Sequence, residues 1–180
     1  GQVLTSTGAG SPPAFETLSA GYTLTSTTAS TSGTTVAFTS IPSGIKRFVL
    51  MFNNVSISGT DLFTLQIGDS GGLETSGYEG LGVGNIGTAS IVVDNAVDGY
   101  AVSYGLGNTA SHYVNGVWEG YLYEASSNTW IITHMLGTGN NNDSGWGTAR
   151  KSLSGTLDRI SIGTSGSNTF DLGTMALMYQ

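Results

Sequence analysis

Asp61-Leu-Phe-Thr-Leu-Gln-Ile-Gly68 decides the fold. Successive side chains of an extended chain point to opposite faces, so Phe63, Leu65 and Ile67 fall on one side and Leu62, Thr64 and Gln66 on the other. A period of two predicts a half-buried β-strand, and the signature recurs outward in both directions. Upstream, residues 45–52 form a nearly continuous apolar run after Pro42-Ser43-Gly44, as expected of a central strand. Downstream, residues 115–124 and 129–136 flank the turn cluster Ala125-Ser126-Ser127-Asn128 and read as a long hairpin carrying Trp118 and Trp130 as core or cross-strand anchors. Residues 157–163 set Ile160 and Ile162 on one side, and residues 170–179 close the chain with a break or bulge at Gly173.

No stretch sustains the i, i+3, i+4 apolar spacing of a helix between a cap and a glycine stop. Many short strands punctuated by Gly, Ser, Asn and Thr predict an all-β protein, an antiparallel β-sandwich of jelly-roll-like type. The threonine-rich residues 23–35 leave two readings open: low complexity suggests disorder, whereas β-branched Thr with Tyr22, Leu24 and Val36 suits an edge strand or hairpin.

Composition narrows the function. Only 9% of the 180 residues are charged, against about 25% in an average globular protein, so the polar surface is mostly Ser, Thr and Asn. A formal charge of -7 with five Lys and Arg gives no electrostatic footprint for nucleic acid. No run approaches the ~18 apolar residues of a membrane span, so neither nucleic acid nor membrane insertion is expected. With no cysteine, disulfides, thiolate metal sites and cysteine nucleophiles are all excluded.

Several motifs could carry chemistry. Gly68-Asp-Ser-Gly-Gly72 matches the nucleophile segment of chymotrypsin-like serine proteases, which place the histidine base well upstream of the serine. Here His112 and His134 both lie downstream, so the segment reads as a turn in which Asp69 makes an Asx-type bond. Gly82-Val-Gly-Asn-Ile-Gly87 satisfies G-x-G-x-x-G but has no helix after it; a strand over residues 89–93 follows, and the glycines read as a loop. His134 alternates with apolar residues and reads as structural. Residues 137–147, Gly-Thr-Gly-Asn-Asn-Asn-Asp-Ser-Gly-Trp-Gly, read as a loop that mixes amide and carboxylate oxygens with one large aromatic. Sugars need hydrogen-bonding partners for their hydroxyls and a flat aromatic for the C–H side of the ring. Asn141, Asp143 and Trp146 are therefore candidate glycan contacts, with His112 and Tyr113 as further exposed candidates. The competing reading has Trp146 packed on the sandwich end or on a neighbouring protomer. Calcium is a poor fit with one carboxylate in the loop, and no metal or cofactor is expected.

Residues 1–17 read as a joint: Val3-Leu4, small polar residues, then Pro12-Pro13, which favour an extended, semi-rigid connector. They resemble the connector that recurs in bacteriophage tail-fibre proteins between shaft pieces and a distal domain, through Gly1, Val3, Leu4, Thr5, Ser6, Gly8, Ala9, Gly10, Pro13 and Phe15. Four further passages resemble tail-fibre tip domains. They are Ile41-Pro-Ser-Gly-Ile-Lys-Arg47 leading into Met51-Phe-Asn-Asn-Val-Ser56, then Gln66 to Tyr78, then Lys151 to Ile160, and the ending Phe170 to Tyr179. The resemblance is weakest over residues 79–114. It implies a connector over residues 1–20 and a tip domain over residues 21–180. It also implies a homotrimer on a virion fibre, joined to an upstream shaft, with Val3, Leu4 and Phe15 of the connector packed between protomers, that attaches to a bacterial surface glycan or protein without catalysis; a purely structural trimerisation or connector module and a surface hydrolase are the alternatives.

Overall fold

The structure, a computed structural model, describes all residues except 1, 7, 11, 18–20, 87–89, 96–99 and 102–108. Among the described residues there is no helix. The fold is an antiparallel β-sandwich, as its sequence periodicity predicts.

The larger sheet runs in the order β10 (Ser90–Asn95), β9 (Glu79–Ile86), β14 (Ser144–Ser152), β13 (Thr129–Thr138), β12 (Val114–Glu124), β6 (Arg47–Ile57), β16 (Phe170–Tyr179) and β3 (Thr23–Leu24), with β4 (Thr28–Ala29) also on β16. The smaller sheet runs β11 (Tyr100–Ala101), β7 (Phe63–Asp69), β15 (Arg159–Thr164) and β5 (Thr35–Phe38), with β8 (Gly72–Leu73) folded back on β7.

The core lies where the two sheets face. Phe63, Leu65 and Ile67 of β7 are fully buried beside Ile160 and Ile162 of β15. Opposite them stand Phe48, Leu50 and Phe52 of β6, Trp118 of β12 and Ile132 of β13. Phe63 ties the layers together, edge-on to Phe52 at 5.7 Å and stacked on Phe170 at 6.1 Å between ring centroids. Each such side chain contributes ~1.5–3 kcal/mol by leaving water, so the period-two segments both specify and stabilise the sandwich.

The predicted hairpin is β12–β13, and Trp118 and Trp130 are both inside. Gly173 lies in β16 at the second of two register shifts against β6, between Leu172 and Thr174, the expected bulge. The threonine-rich stretch takes its edge-strand reading. β3 and β4 run along β16, with Ser30 Oγ donating to Leu172 O at 2.9 Å, and the chain then turns over into β5 at the edge of the smaller sheet.

Three expectations change. Residues 2–17 do not form one extended run: β1 (Gln2–Thr5) and β2 (Ala14–Thr17) pair antiparallel in a sheet of their own. The chain reverses around Gly8 and Gly10, whose φ of 108° and 87° are open to glycine at little cost. Leu4 and Phe15 are directly opposed on this hairpin and largely exposed; the side chain of Val3 lies outside the described residues. Second, Gly82-Val-Gly-Asn-Ile is not a loop but part of β9, paired on both sides, while Gly87 lies outside the described residues. Third, the loop of residues 137–147 shrinks to a turn over residues 139–143, and Trp146 is on strand β14. The physical cause is shared. Gly82 pairs with Gly147 and Gly84 with Gly145, so the two strands meet through side-chain-free positions on one face, and the glycines belong to a ladder rather than to a flexible loop.

Register fixes two ends of the sandwich. At the entry end Thr23 pairs with Tyr179, Arg47 N donates to Gln180 O at 3.1 Å, and Tyr121 pairs with Arg47. At the far end Val114 pairs with both Val55 and Thr138, which brings residues 109–114 against the turn at residues 139–143.

Candidate functional site

At the far end two loops close on each other through side chains. Tyr113 N donates to Asn140 Oδ1 at 3.2 Å, and Asn140 Nδ2 donates to Ser111 O at 2.6 Å, so one amide bridges both polar groups of the neighbouring turn. Gly139 N donates to Tyr113 O at 2.8 Å. A Cβ at Gly139 would lie 2.1 Å from the Tyr113 ring, so this approach requires glycine.

Within the second loop, Thr138 Oγ1 donates to Asn141 O at 2.9 Å and accepts from Asp143 N at 3.1 Å. Asn141 Nδ2 donates to Asp143 Oδ2 at 2.9 Å. The same carboxylate oxygen lies 3.8 Å from His112 Nδ1, within ion-pair range but beyond a hydrogen bond. The Asp143 side chain is 2% exposed and that of His112 17%.

Four of the five sequence-predicted residues, His112, Tyr113, Asn141 and Asp143, therefore stand together. Asp143 differs from expectation: its carboxylate is buried under the turn and holds the loop's shape, where a glycan contact needs an accessible oxygen. The fifth, Trp146, leaves the cluster. It sits 47% exposed on the outer face of the larger sheet, paired with Met135 of β13 and Val83 of β9. Sequence reasoning misses Asn140. The Asn140-Asn-Asn142 run offers three equivalent amides, and only the arrival of residues 111–113, joined by a contact far away in sequence, distinguishes the first.

The protease-like segment is a turn at the entry end. Gly71 N donates to Asp69 Oδ1 at 2.7 Å, the expected Asx bond, and Ser154 Oγ donates to Asp69 Oδ2 at 2.7 Å. The Ser154 hydroxyl, then the Gly71 amide, hold the Asp69 carboxyl below its usual range. Both histidines are engaged elsewhere. His112 faces Asp143, and His134 stacks on Trp118 with ring centroids 4.6 Å apart inside the sandwich. Burial pushes the His134 imidazole down to about 3, so it is neutral.

The same end carries a network around Glu74. Its carboxylate pairs with the buried Lys151 ammonium and accepts from Ser154 N at 2.7 Å. Burial raises the Glu74 pKa, but these hydrogen bonds outweigh it and the net shift is downward. Tyr78, also buried, donates to Glu74 O at 2.9 Å and accepts from Ile67 N at 2.8 Å; desolvation pushes its hydroxyl well above the usual tyrosine range.

Among the described residues no group of three or more His, Asp or Glu side chains is arranged to hold a metal ion. Comparison with protein-family descriptions, with characterised proteins and with solved structures returned no match.

Proposed function

We propose that this chain is the distal module of a bacteriophage tail fibre that attaches the virion, as a homotrimer, to a glycan on the bacterial surface, without catalysing a reaction. The observation that carries the reading is the placement of the amide-rich loops. Residues 111–113 and 139–143 close on each other at the end of the sandwich opposite the point where the chain enters at Tyr22. An attachment module joined to a fibre from one side presents its contacts on the other. Neutral amides and half-exposed His112 and Tyr113 suit the hydroxyls of a sugar, which offer no charge to pair with. Three such sites on one fibre raise effective affinity, so each can be weak.

The test uses the fluorescently labelled chain on an array of bacterial surface polysaccharides and on intact bacterial cells. Binding by the chain, reduced at least tenfold by His112→Ala or Asn140→Ala, is the expected result. Absence of binding to every polysaccharide and every cell type sinks the attachment reading. One observation favours a second reading, a purely structural module of the virion: the amides of Asn140 and Asn141 are already engaged within the loops, by backbone groups and the Asp143 carboxylate, and Asp143 is buried. In that case binding is absent and the far end is covered by another virion component.

A further inference from the structure

The outer face of the larger sheet carries an uninterrupted apolar row. Following the register across six strands, Ala176, Met51, Val117, Met135, Trp146 and Val83 stand side by side. None of them is buried: Met135 is 70% and Trp146 47% exposed, and the other four are half-buried. The neighbouring row adds exposed Leu81 and Leu24 at its two ends. Three of the four methionines, Met51, Met135 and Met178, point to this side. The opposite side of the same strands, carrying Leu50, Trp118 and Ile132, is the sandwich core. A contiguous exposed apolar patch of this kind marks an interaction surface.

We infer that copies of this chain associate with one another through this outer face. Three observations favour a second copy over other occupants. The first is charge. The next row along the strands contains Arg47, Tyr121, Arg150 and Glu79, and Arg47 pairs with Glu119 at 2.9 Å while Arg150 pairs with Glu79 at 3.2 Å. The charged groups of these rows therefore cancel, and the formal charge of -7 is carried elsewhere on the chain. An acidic chain meets its own copy with least repulsion at such a surface. The second is residue type. Trp, Tyr, Met and Arg are enriched, and Lys is depleted, at protein–protein contacts, and these rows hold Trp146, Tyr121, Met135 and two arginines with no lysine. The third is size. Six strands ~4.8 Å apart and three rows ~6.8 Å apart span a footprint of about 600 Å², commensurate with the ~800 Å² that each partner of a stable complex buries once side-chain relief is added.

This inference deepens the proposed homotrimer by naming its surface, and it rests on that reading only for the number of copies. The test is the mass of the full chain in solution by analytical ultracentrifugation across the micromolar range, with Met135→Glu/Trp146→Glu and, as a control on the other sheet, Leu73→Glu. Leu73 is exposed on β8. The expected result is an oligomer for the wild type and for Leu73→Glu, and a folded 18.5 kDa species for the double variant, with unchanged circular dichroism. Because the chain has no cysteine, Met135→Cys supplies a unique thiol, and a short bis-maleimide should link two copies in high yield, whereas Leu73→Cys should not. A monomeric wild type, an oligomer that survives the double substitution, or a Met135→Cys chain that fails to cross-link each overturns the inference. The two readings fail separately: an oligomer that binds no bacterial surface leaves this interface standing and removes attachment, and a monomer that binds removes the interface and the trimer and leaves attachment.

Discussion

The two ends of the sandwich close their loops with different chemistry. At the entry end ion pairs hold the turns: buried Lys151 is sealed against Glu74 beneath the Tyr78 ring, with the ammonium 5.5 Å from the ring centroid, and half-exposed Arg159 pairs with Asp158 at 2.9 Å. At the far end amides and hydroxyls do most of it, through Asn140, Asn141, Thr138 and the Ser58 hydroxyl that accepts from Thr169 N at 3.0 Å. A hydrogen bond between neutral groups contributes about 1 kcal/mol net, while a buried charge that loses its partner costs several. The entry end is therefore rigid and intolerant of change. The far end's neutral asparagine and hydroxyl contacts can be altered at smaller cost, with buried Asp143 and Gly139 as its fixed points.

The contrast is tested hardest at Glu74. Glu74→Leu leaves the Lys151 ammonium, whose side chain is 6% exposed, without its counter-ion. The expected loss is about 3 kcal/mol, read as a fall in the urea midpoint. Glu74→Leu/Lys151→Met should recover most of it, because a buried pair replaced by apolar groups is close to neutral. A single variant within ~1 kcal/mol of wild type would show that the entry end is no more charge-dependent than the far end. Tyr78→Phe comes next, at about 2 kcal/mol, because it strips a buried amide, Ile67 N–H, of its acceptor.

His134 adds a dependence on pH. His134 is buried in the core beside Trp118, and its imidazole is pushed down to about 3 from an ordinary value of 6.5. The unfolded chain binds a proton below pH 6.5 that the folded chain refuses, so the stability associated with His134 is fully present above that pH. It falls as pH drops, by about 1.4 kcal/mol per pH unit once well below 6.5. Glu74 and Asp69, both shifted downward, follow the same sign but enter only as pH falls through the carboxylate range. His134→Leu should therefore flatten the melting temperature between pH 6.5 and the carboxylate range and leave the steeper acid limb in place. A profile identical to wild type would mean that the imidazole is not held neutral by burial.

How much of this is legible in the sequence depends on what alternates. Where the alternation is apolar against polar, as in Phe63-Thr-Leu-Gln-Ile67, strand and inward face follow directly and all three apolar residues are buried. In β9 and the first half of β14 the alternation is glycine against everything else, and no hydrophobic signal marks the buried side, so ladder positions look like loop. Trp146 reads as a loop residue for that reason, flanked by Gly145 and Gly147, which face the interior where Leu136 and His134 cross. The clustering of His112 and Tyr113 with Asn141 and Asp143 leaves no local signal at all. Pairing of Val114 with Thr138 brings it about, and neither segment by itself encodes that register.

The smallest expected effect on stability is also the one that tests the far end for the proposed recognition. Asn140→Ala removes the amide that joins residues 111–113 to the turn at residues 139–143, at about 1 kcal/mol, since both freed groups lie near solvent and water replaces the amide. The melt should shift by only a few degrees. Binding to bacterial surface polysaccharide or cells should nevertheless fall at least tenfold, because the two loops then move independently and the geometry of His112 and Tyr113 is no longer fixed. Asn142→Ala, in the same turn, supplies the control: residue 142 is exposed, and its loss should leave both readouts near wild type. If Asn140→Ala instead destabilised the chain as strongly as Glu74→Leu, the far end would be as rigid as the entry end, and the division between a charge-locked base and an adaptable tip would fail. If it left binding untouched, the amide bridge would be shaping loops that recognise nothing.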